Sequence, residues 1–171
     1  MVRDSSLTLC ALLESDLTYL AQDCANQARP GDCVLLSGEV GAGKTTFARA
    51  FIMQRGGKNP ASPTYTLVHH HDTEQGPLWH IDLWRIKDPD EVLELGWEDI
   101  DKVISLIEWP EKLGPWYPAH DQVLHLSLEQ SKTDENARTT HIRLGGDWRT
   151  RLWPSLISRP DALLSNTSSK G

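Results

Sequence analysis

The sequence contains no uninterrupted apolar run of about 18 residues, the length that a membrane-spanning helix needs, so we expect no contact with a membrane. The apolar stretch nearest the N-terminus, Leu7 to Leu13, is short and is flanked by the acidic residues Asp4 and Glu14. A secretory signal peptide places positive charge before a longer apolar segment. This stretch is therefore a poor match to a signal peptide.

Cysteine and positive charge are also scarce, and each scarcity excludes a class of protein. The three cysteines are odd in number and lack CxxC spacing: Cys10, Cys24 and Cys33. This number and spacing favour free thiols in a reducing compartment, so we expect a cytoplasmic protein.

A net charge of −7 argues against a chain that coats nucleic acid by bulk charge. We expect no DNA partner, and an RNA process would be reached through a partner protein.

Apolar periodicity predicts alternating strands and helices within a length of 171 residues, which fits one domain. Helices are predicted in three places: a segment carrying Leu17 to Ala28 and capped by Ser15 or Asp16, then Lys44 to Arg55, and a short helix between Asp88 and Gly96. Strands are predicted at Cys33 to Ser37, Tyr65 to His71, Leu78 to Trp84, Val103 to Ile107, Gln122 to Glu129 and Thr139 to Leu144.

The most specific local motif is a full match to G-x-x-x-x-G-K-[ST], located between a predicted buried strand and a predicted helix. The motif and the residue after it are the predicted nucleotide-binding residues: Gly38, Glu39, Val40, Gly41, Ala42, Gly43, Lys44, Thr45 and Thr46. Glycines let backbone N–H groups face a phosphate, and the following helix directs its positive end at the same anion. Lys44 supplies a cation for the β- and γ-phosphates, and the Thr45 hydroxyl reaches Mg²⁺.

This motif defines the expected fold class. We expect one α/β P-loop NTPase-like domain over residues 1–160, with a mixed, mainly parallel central sheet that helices flank and antiparallel strands border. Residues 161–171 are dominated by Ser, Asn, Thr, Lys and Gly toward the end, so a disordered tail is predicted there.

Two carboxylates follow predicted strands and could complete a Mg²⁺ site beside the phosphates. Asp82 ends the run from Leu78, and Glu108 directly follows Val103 to Ile107. Ligands bind at the carboxyl ends of strands in α/β sheets, so both side chains are expected in the same crevice. Glu108 fits the pattern of an apolar run followed by an acid better, whereas Asp82 could also be a solvated strand end.

Four motifs in order give the sequence a resemblance to the TsaE (YjeE) family of bacterial tRNA-modification ATPases, from about Leu17 to Leu152. They are GEVGAGKTTF from Gly38, SPTYTLV from Ser62, HIDLWR from His80 and EWP from Glu108. The SPTYTLV and EWP motifs following a P-loop at these distances are more specific than the P-loop alone. Trp84 stands where the family usually has tyrosine, and Leu17 stands where its first helix has threonine.

The resemblance implies an ATPase, weak alone and stimulated by partners, in the machinery that makes N6-threonylcarbamoyladenosine beside the tRNA anticodon. It implies ATP or ADP and Mg²⁺ as cofactors, a transferase subunit and a scaffold subunit as partners, and nucleotide turnover that resets their complex. It also implies residue roles: Lys44, Asp82 and Glu108 in catalysis, Thr45 and Glu108 as metal ligands, Arg138 in nucleotide binding, and Ser62, Pro63, Thr64, Tyr65, Thr66 and Trp109 at a switch and partner surface.

Two alternatives share the same phosphate loop. A small-molecule P-loop kinase would need an acceptor site, although no inserted lid segment is evident. A nucleotide-gated adaptor would use ATP only to shape a docking surface. The run His69-His70-His71 is not interpreted as a metal site, because only His69 and His71 share a strand face and no acid or cysteine joins them.

Overall fold

The computed structural model describes residues 5–58, 66–132, 134–159 and 162–163, and within these ranges eight strands form one mixed sheet. The strands are β1 (Ser5–Leu12), β2 (Cys33–Ser37), β3 (Val68–Thr73), β4 (Gly76–Asp82), β5 (Ile104–Glu108), β6 (Val123–Gln130), β7 (Arg138–Leu144) and β8 (Ala162–Leu163). Their order across the sheet is β3-β4-β5-β2-β6-β7-β1-β8. The four central strands β4, β5, β2 and β6 are parallel, and the outer pairings are antiparallel. The predicted fold class is therefore confirmed.

Strand β2 lies at the centre because four of its five residues are apolar and buried, as expected of a strand covered on both faces. It pairs with β5 on one side and with β6 on the other. Strand β5 pairs in turn with β4, and this register places Asp82 beside Glu108. The carboxyl ends of β4, β5 and β2 therefore meet at one edge of the sheet.

Three α-helices cover one face of the sheet: α1 (Glu14–Gln27), α2 (Lys44–Gln54) and α3 (Gly146–Ile157). Their apolar sides form the larger core cluster, which includes the buried aromatic rings of Phe47, Phe51 and Trp148. Three short 3-10 segments cover the opposite face and contribute to a second cluster: Pro89–Leu95, Trp97–Lys102 and Pro110–Trp116. A fourth segment, His120–Gln122, contacts α3. Within the described ranges, no helix combines the length and apolar character that crossing a membrane requires.

Several local predictions are confirmed by backbone geometry. The short segment after Asp88 is a 3-10 helix in which the Asp88 carboxylate accepts a hydrogen bond from the Asp90 N–H group, and Gly96 ends it at φ 82°. The start of α1 differs from the prediction, because Leu13 is the capping residue. The Asp16 carboxylate accepts the Leu13 N–H group at 2.9 Å from inside the first turn.

The tail contains a short strand, and two other elements differ from the sequence expectation. Ala162–Leu163 pairs with β1 inside the predicted tail, and residues 164–171 lie outside the described ranges, so the disordered tail stays a prediction. Strand β1 and helix α3 were not predicted.

All three cysteines are free, and burial raises the pKa of the Cys33 thiol to about 11.

Candidate functional site

The phosphate loop connects β2 to α2 and depends on glycine at its two ends. Gly38 has φ 136°, and a Cβ atom there would lie 2.3 Å from the Leu128 carbonyl oxygen. Gly43 caps α2 at φ 110°, where a Cβ atom would lie 2.8 Å from Leu17 Cδ2. A side chain at either position would collide with its neighbour and strain the backbone. Glycine at these two positions therefore permits the backbone conformation of a phosphate-binding loop.

Lys44 is the first residue of α2, and its side chain is folded back over the loop. The residue is only 5% exposed, and its ammonium donates to the carbonyl oxygens of Gly38 at 2.5 Å and Glu39 at 2.9 Å. Burial lowers the pKa of Lys44, and nearby carboxylates, Glu108 first among them, oppose that shift. Two uncharged carbonyl groups accept from this buried cation, so its charge is available to pair with an anion.

Trp109 covers this ammonium. The Lys44 Nζ atom lies 3.9 Å from the indole ring centroid, a cation–π distance. Trp109 adopts the left-handed conformation, φ 61° and ψ 49°, which is uncommon for a large side chain. Its backbone N–H group donates to the Leu36 carbonyl at 3.2 Å, and its ring packs against Trp84 with centroids 4.4 Å apart. The fold therefore holds an indole over the phosphate loop.

The two predicted carboxylates lie side by side below the loop. Glu108 is 3% exposed, and its Oε1 atom lies 2.8 Å from His80 Nε2. Asp82 is 5% exposed, and its Oδ1 atom accepts the Trp84 N–H group at 3.0 Å. Each carboxylate is thus fixed by at least one hydrogen bond on its own side of the crevice.

A cavity of about 330 Å³ joins these groups. It is lined by Val40, Gly41, Gly43, Lys44, Thr45, Thr46, Asp82, Trp84, Glu108 and Trp109. The structure therefore brings together most of the predicted loop residues, both carboxylates and the aromatic residue of the EWP motif. Gly38, Glu39 and Ala42 line a second cavity on the other side of the loop, where Trp109 also contributes.

Arg138 lies outside the lining of the first cavity and contacts the loop from behind. Its Nε atom donates to the Ala42 carbonyl at 3.1 Å, and Nη2 donates to the Gly41 carbonyl at 3.4 Å. The same guanidinium donates to the carbonyl groups of Glu135 and Ala137. In this structure Arg138 therefore ties the phosphate loop to the β6–β7 connection.

The predicted switch loop is described only at its end. Ser62, Pro63, Thr64 and Tyr65 lie outside the described residues, and Thr66 is exposed. The next residue, Leu67, accepts the backbone N–H group of Asp82 at 2.8 Å. The backbone just after the predicted switch loop is therefore hydrogen-bonded to the end of β4, which carries the Asp82 carboxylate.

Sequence reasoning gave no role to His80, although it lies in the quoted HIDLWR motif. His80 is 2% exposed, and its Nε2 atom lies 2.8 Å from the Glu108 carboxylate. Its spacing from Asp82 places both on one face of β4, and this spacing was a signal that could have been used. No group of three or more metal-ligating side chains occurs in the described part of the chain.

A buried central strand, a glycine loop, a helix beginning with lysine and two acids on the neighbouring strands define a P-loop nucleotide-binding domain. Residues 13–140 match the family model described as Threonylcarbamoyl adenosine biosynthesis protein TsaE. The chain therefore belongs to the TsaE family, which confirms the resemblance found in the motifs.

Individual relatives agree with this assignment. The tRNA threonylcarbamoyladenosine biosynthesis protein TsaE of Aquifex aeolicus is 36% identical over 132 residues, 75% of this chain and 90% of that protein. The Nostoc protein of the same name is 33% identical over 147 residues, 82% of this chain and 80% of that protein. The Rickettsia felis relative is 41% identical over 101 residues, 57% of this chain, and the match spans only 59% of its length.

A solved structure supports the fold independently. Bacillus subtilis YdiB superimposes with a TM-score of 0.67 at 24% identity, over 92% of this chain and 97% of that protein. At this level of identity the comparison concerns the architecture alone. The architecture is a single α/β domain with a mixed sheet.

Proposed function

We propose that this chain is a cytoplasmic, Mg²⁺-dependent ATPase that supports the formation of threonylcarbamoyladenosine in tRNA. The named relatives are tRNA threonylcarbamoyladenosine biosynthesis proteins, and this pathway comes to the present chain by family membership. The observation that carries the ATPase part is the placement of Lys44, Asp82 and Glu108 around one cavity under the phosphate loop. ATP or ADP is the proposed ligand of that cavity, and the loop residues 38–46 and Arg138 are its proposed binding residues.

The oxygen donors in the cavity fit Mg²⁺, which prefers carboxylate, hydroxyl and water ligands. Thr45 and Glu108 would hold the ion, and one oxygen of Glu108 already accepts a hydrogen bond from His80. When bound, Mg²⁺ neutralises charge on the phosphate oxygens. In this proposal Lys44 turns from the loop carbonyls toward the β- and γ-phosphates, and Asp82 orients the attacking water or supports the metal shell.

We propose a transferase subunit and a scaffold subunit as the partners, with tRNA contacted indirectly. Two exposed apolar side chains at the cavity rim support a docking role, since Val40 is 75% exposed and Trp84 is 48% exposed. The segment Ser62 to Thr66 and Trp109 are the proposed switch elements on this side. The net charge of −7 disfavours direct binding of the chain to a polyanion.

Steady-state ATP hydrolysis tests the proposal, with and without the transferase and scaffold subunits from the same cell. We expect weak turnover alone and strong stimulation by the partners, with Lys44→Ala as the blank. Loss of the tRNA modification in cells lacking the chain is the matching expectation in vivo. Unstimulated hydrolysis together with phosphate transfer to a small acceptor would contradict the proposal and favour the kinase alternative.

A further inference from the structure

The contact between His80 and Glu108 is buried and short. The two side chains are 2% and 3% exposed, and 2.8 Å separates His80 Nε2 from Glu108 Oε1. His80 pairs with Leu106 across the β4–β5 ladder, so its side chain lies on the same face as Glu108, two residues further along β5. A buried carboxylate that lacks a donor would be costly, and the imidazole supplies one.

This hydrogen bond restricts how the Glu108 carboxylate can rotate. Oε1 accepts from the imidazole, which leaves both lone pairs of Oε2 and one of Oε1 for a ligand in the cavity that Glu108 lines. Partners of metal-binding side chains commonly set their orientation in this way. The bond also requires a proton on His80 Nε2, which leaves Nδ1 of a neutral ring as an acceptor.

A second histidine lies behind the first. His71 on β3 pairs with Leu78, so its side chain shares the sheet face of Leu78 and His80. Among the described residues, neither His71 Nε2 nor His80 Nδ1 has a hydrogen-bond partner, and both atoms are buried. The ring centroids are 6.5 Å apart, too far for a direct N–H···N hydrogen bond, so a link between the two nitrogens would need a bridging water. Burial lowers the pKa of His71, as do the neighbouring histidines, so its ring is neutral near pH 7.

We infer that His80 is a positioning residue that fixes the Glu108 carboxylate for Mg²⁺ binding, and that His71 holds the His80 ring in place through a water that bridges to Nδ1. The inference rests on the proposed function, since it gives Glu108 the role of metal ligand. His80 of the HIDLWR motif and His71 of the histidine run thereby have one role, which is to hold the Glu108 carboxylate. Neither histidine touches nucleotide in this account.

Two substitutions, His80→Gln and His80→Asn, test whether His80 positions the Glu108 carboxylate or only fills buried space. Gln at position 80 can place an amide N–H group where Nε2 lies, whereas Asn has the same chemistry but a shorter reach. ADP binding is measured by calorimetry over a Mg²⁺ series and in EDTA. We expect His80→Asn to raise the Mg²⁺ concentration for half-maximal effect by about 10-fold or more, with unchanged ADP affinity in EDTA. We expect His80→Gln to stay close to the unaltered chain.

His70→Asn is the control, since His70 lies on the neighbouring strand β3, is exposed and stacks on Trp79. Equal Mg²⁺ dependence in the Gln and Asn variants would overturn the positioning role. If the unaltered chain bound ADP without any response to Mg²⁺, the proposed metal role of Glu108 would fail as well. The two failures are therefore distinguishable.

The tautomer gives a readout that does not depend on nucleotide. ¹⁵N NMR of the histidine rings is expected to show His80 protonated at Nε2 in the free protein. His71→Phe is expected to shift the ¹⁵N resonance of His80 Nδ1, because the bridging hydrogen bond to Nδ1 is lost while Glu108 keeps the proton on Nε2. An Nδ1–H tautomer in the unaltered chain would overturn the inference, and an unchanged His80 signal in His71→Phe would overturn the part assigned to His71.

Discussion

The ammonium of Lys44 lies 3.9 Å from the centre of the Trp109 indole, so an aromatic ring covers the cation that is proposed to bind phosphate. The same ammonium donates to two carbonyl groups of its own loop. A phosphate is a stronger partner than either kind of group, because it pairs a full negative charge with the cation. Nucleotide binding is therefore expected to move Lys44 and to change the surroundings of Trp109.

Replacing Lys44 by alanine removes this cation. A hydrogen bond to a charged group contributes about 1.5–3 kcal/mol, so we expect Lys44→Ala to weaken ATP binding by roughly 10- to 100-fold. Calorimetric titration measures the effect, with the exposed Lys87→Ala as the control. Unchanged affinity in Lys44→Ala would contradict the placement of the phosphate site.

Trp109 is expected to report nucleotide binding by fluorescence. The chain has 7 tryptophans, so the signal must be assigned by substitution. We expect ADP to change the emission of the unaltered chain and Trp109→Phe to lose most of that change. Trp153→Phe, which alters a partly buried ring packed against the core, is expected to keep it. A full ADP response in Trp109→Phe would show that the indole does not sense the site.

Glu108→Gln keeps the size of the side chain but removes its charge. We expect ADP affinity in EDTA within about threefold of the unaltered chain and partner-stimulated hydrolysis lowered by about 100-fold, because the carboxylate is needed only with the metal and the reacting phosphate. Glu94→Gln, on an exposed 3-10 segment, is the charge-matched control. A Glu108→Gln variant that binds ATP and both partners but supports no tRNA modification would exclude the adaptor alternative.

His125 predicts a pH dependence of stability. Its Nδ1 atom lies 3.0 Å from Arg143 Nη2 and 3.2 Å from the Tyr117 hydroxyl, and its Nε2 atom lies 2.7 Å from Ser37 Oγ. Burial, and then the charge of Arg143, lower the pKa of His125 from 6.5 to about 4.

The sign follows from proton linkage. Between pH 6.5 and 4 the unfolded chain binds a proton at His125 that the folded chain does not, so folding stability falls as pH falls through this window. The expected slope from this residue is about 1.4 kcal/mol per pH unit, and it vanishes above and below the window. Urea denaturation of the unaltered chain and of His125→Gln at pH 7 and 5 measures the difference. Parallel losses of stability in the two proteins would contradict the assignment.

Local signals were sufficient for the elements that position the site. The apolar run of β2, the glycines around Lys44, and the pair Asp88 and Gly96 each determine backbone geometry within a few residues. The crevice position of Asp82 and Glu108 also followed from sequence, because both end parallel strands.

What could not be predicted depends on tertiary structure. Strand β1 is irregular, with Ala11 at φ 57° and a register shift between Leu9 and Leu12, and its pairing partner lies near the other end of the chain. Helix α3 contains Pro154 and has many charged and aromatic residues, so its pattern is weak until Trp148 is seen buried. The contacts of His80 with Glu108 and of Arg138 with the loop depend on strand register, which a single sequence does not specify.

The hydrogen bonds from Arg138 to the phosphate loop set a lower limit on the length of a fragment that can bind nucleotide normally. The Arg138 guanidinium holds the Ala42 carbonyl from a position 96 residues later in the chain. A truncated protein ending before β7 would keep the P-loop, HIDLWR and EWP motifs and still lose the support behind its phosphate loop. The smallest unit able to bind nucleotide normally therefore extends beyond the last recognisable motif, and boundaries for expression should be chosen by the sheet and not by the motifs.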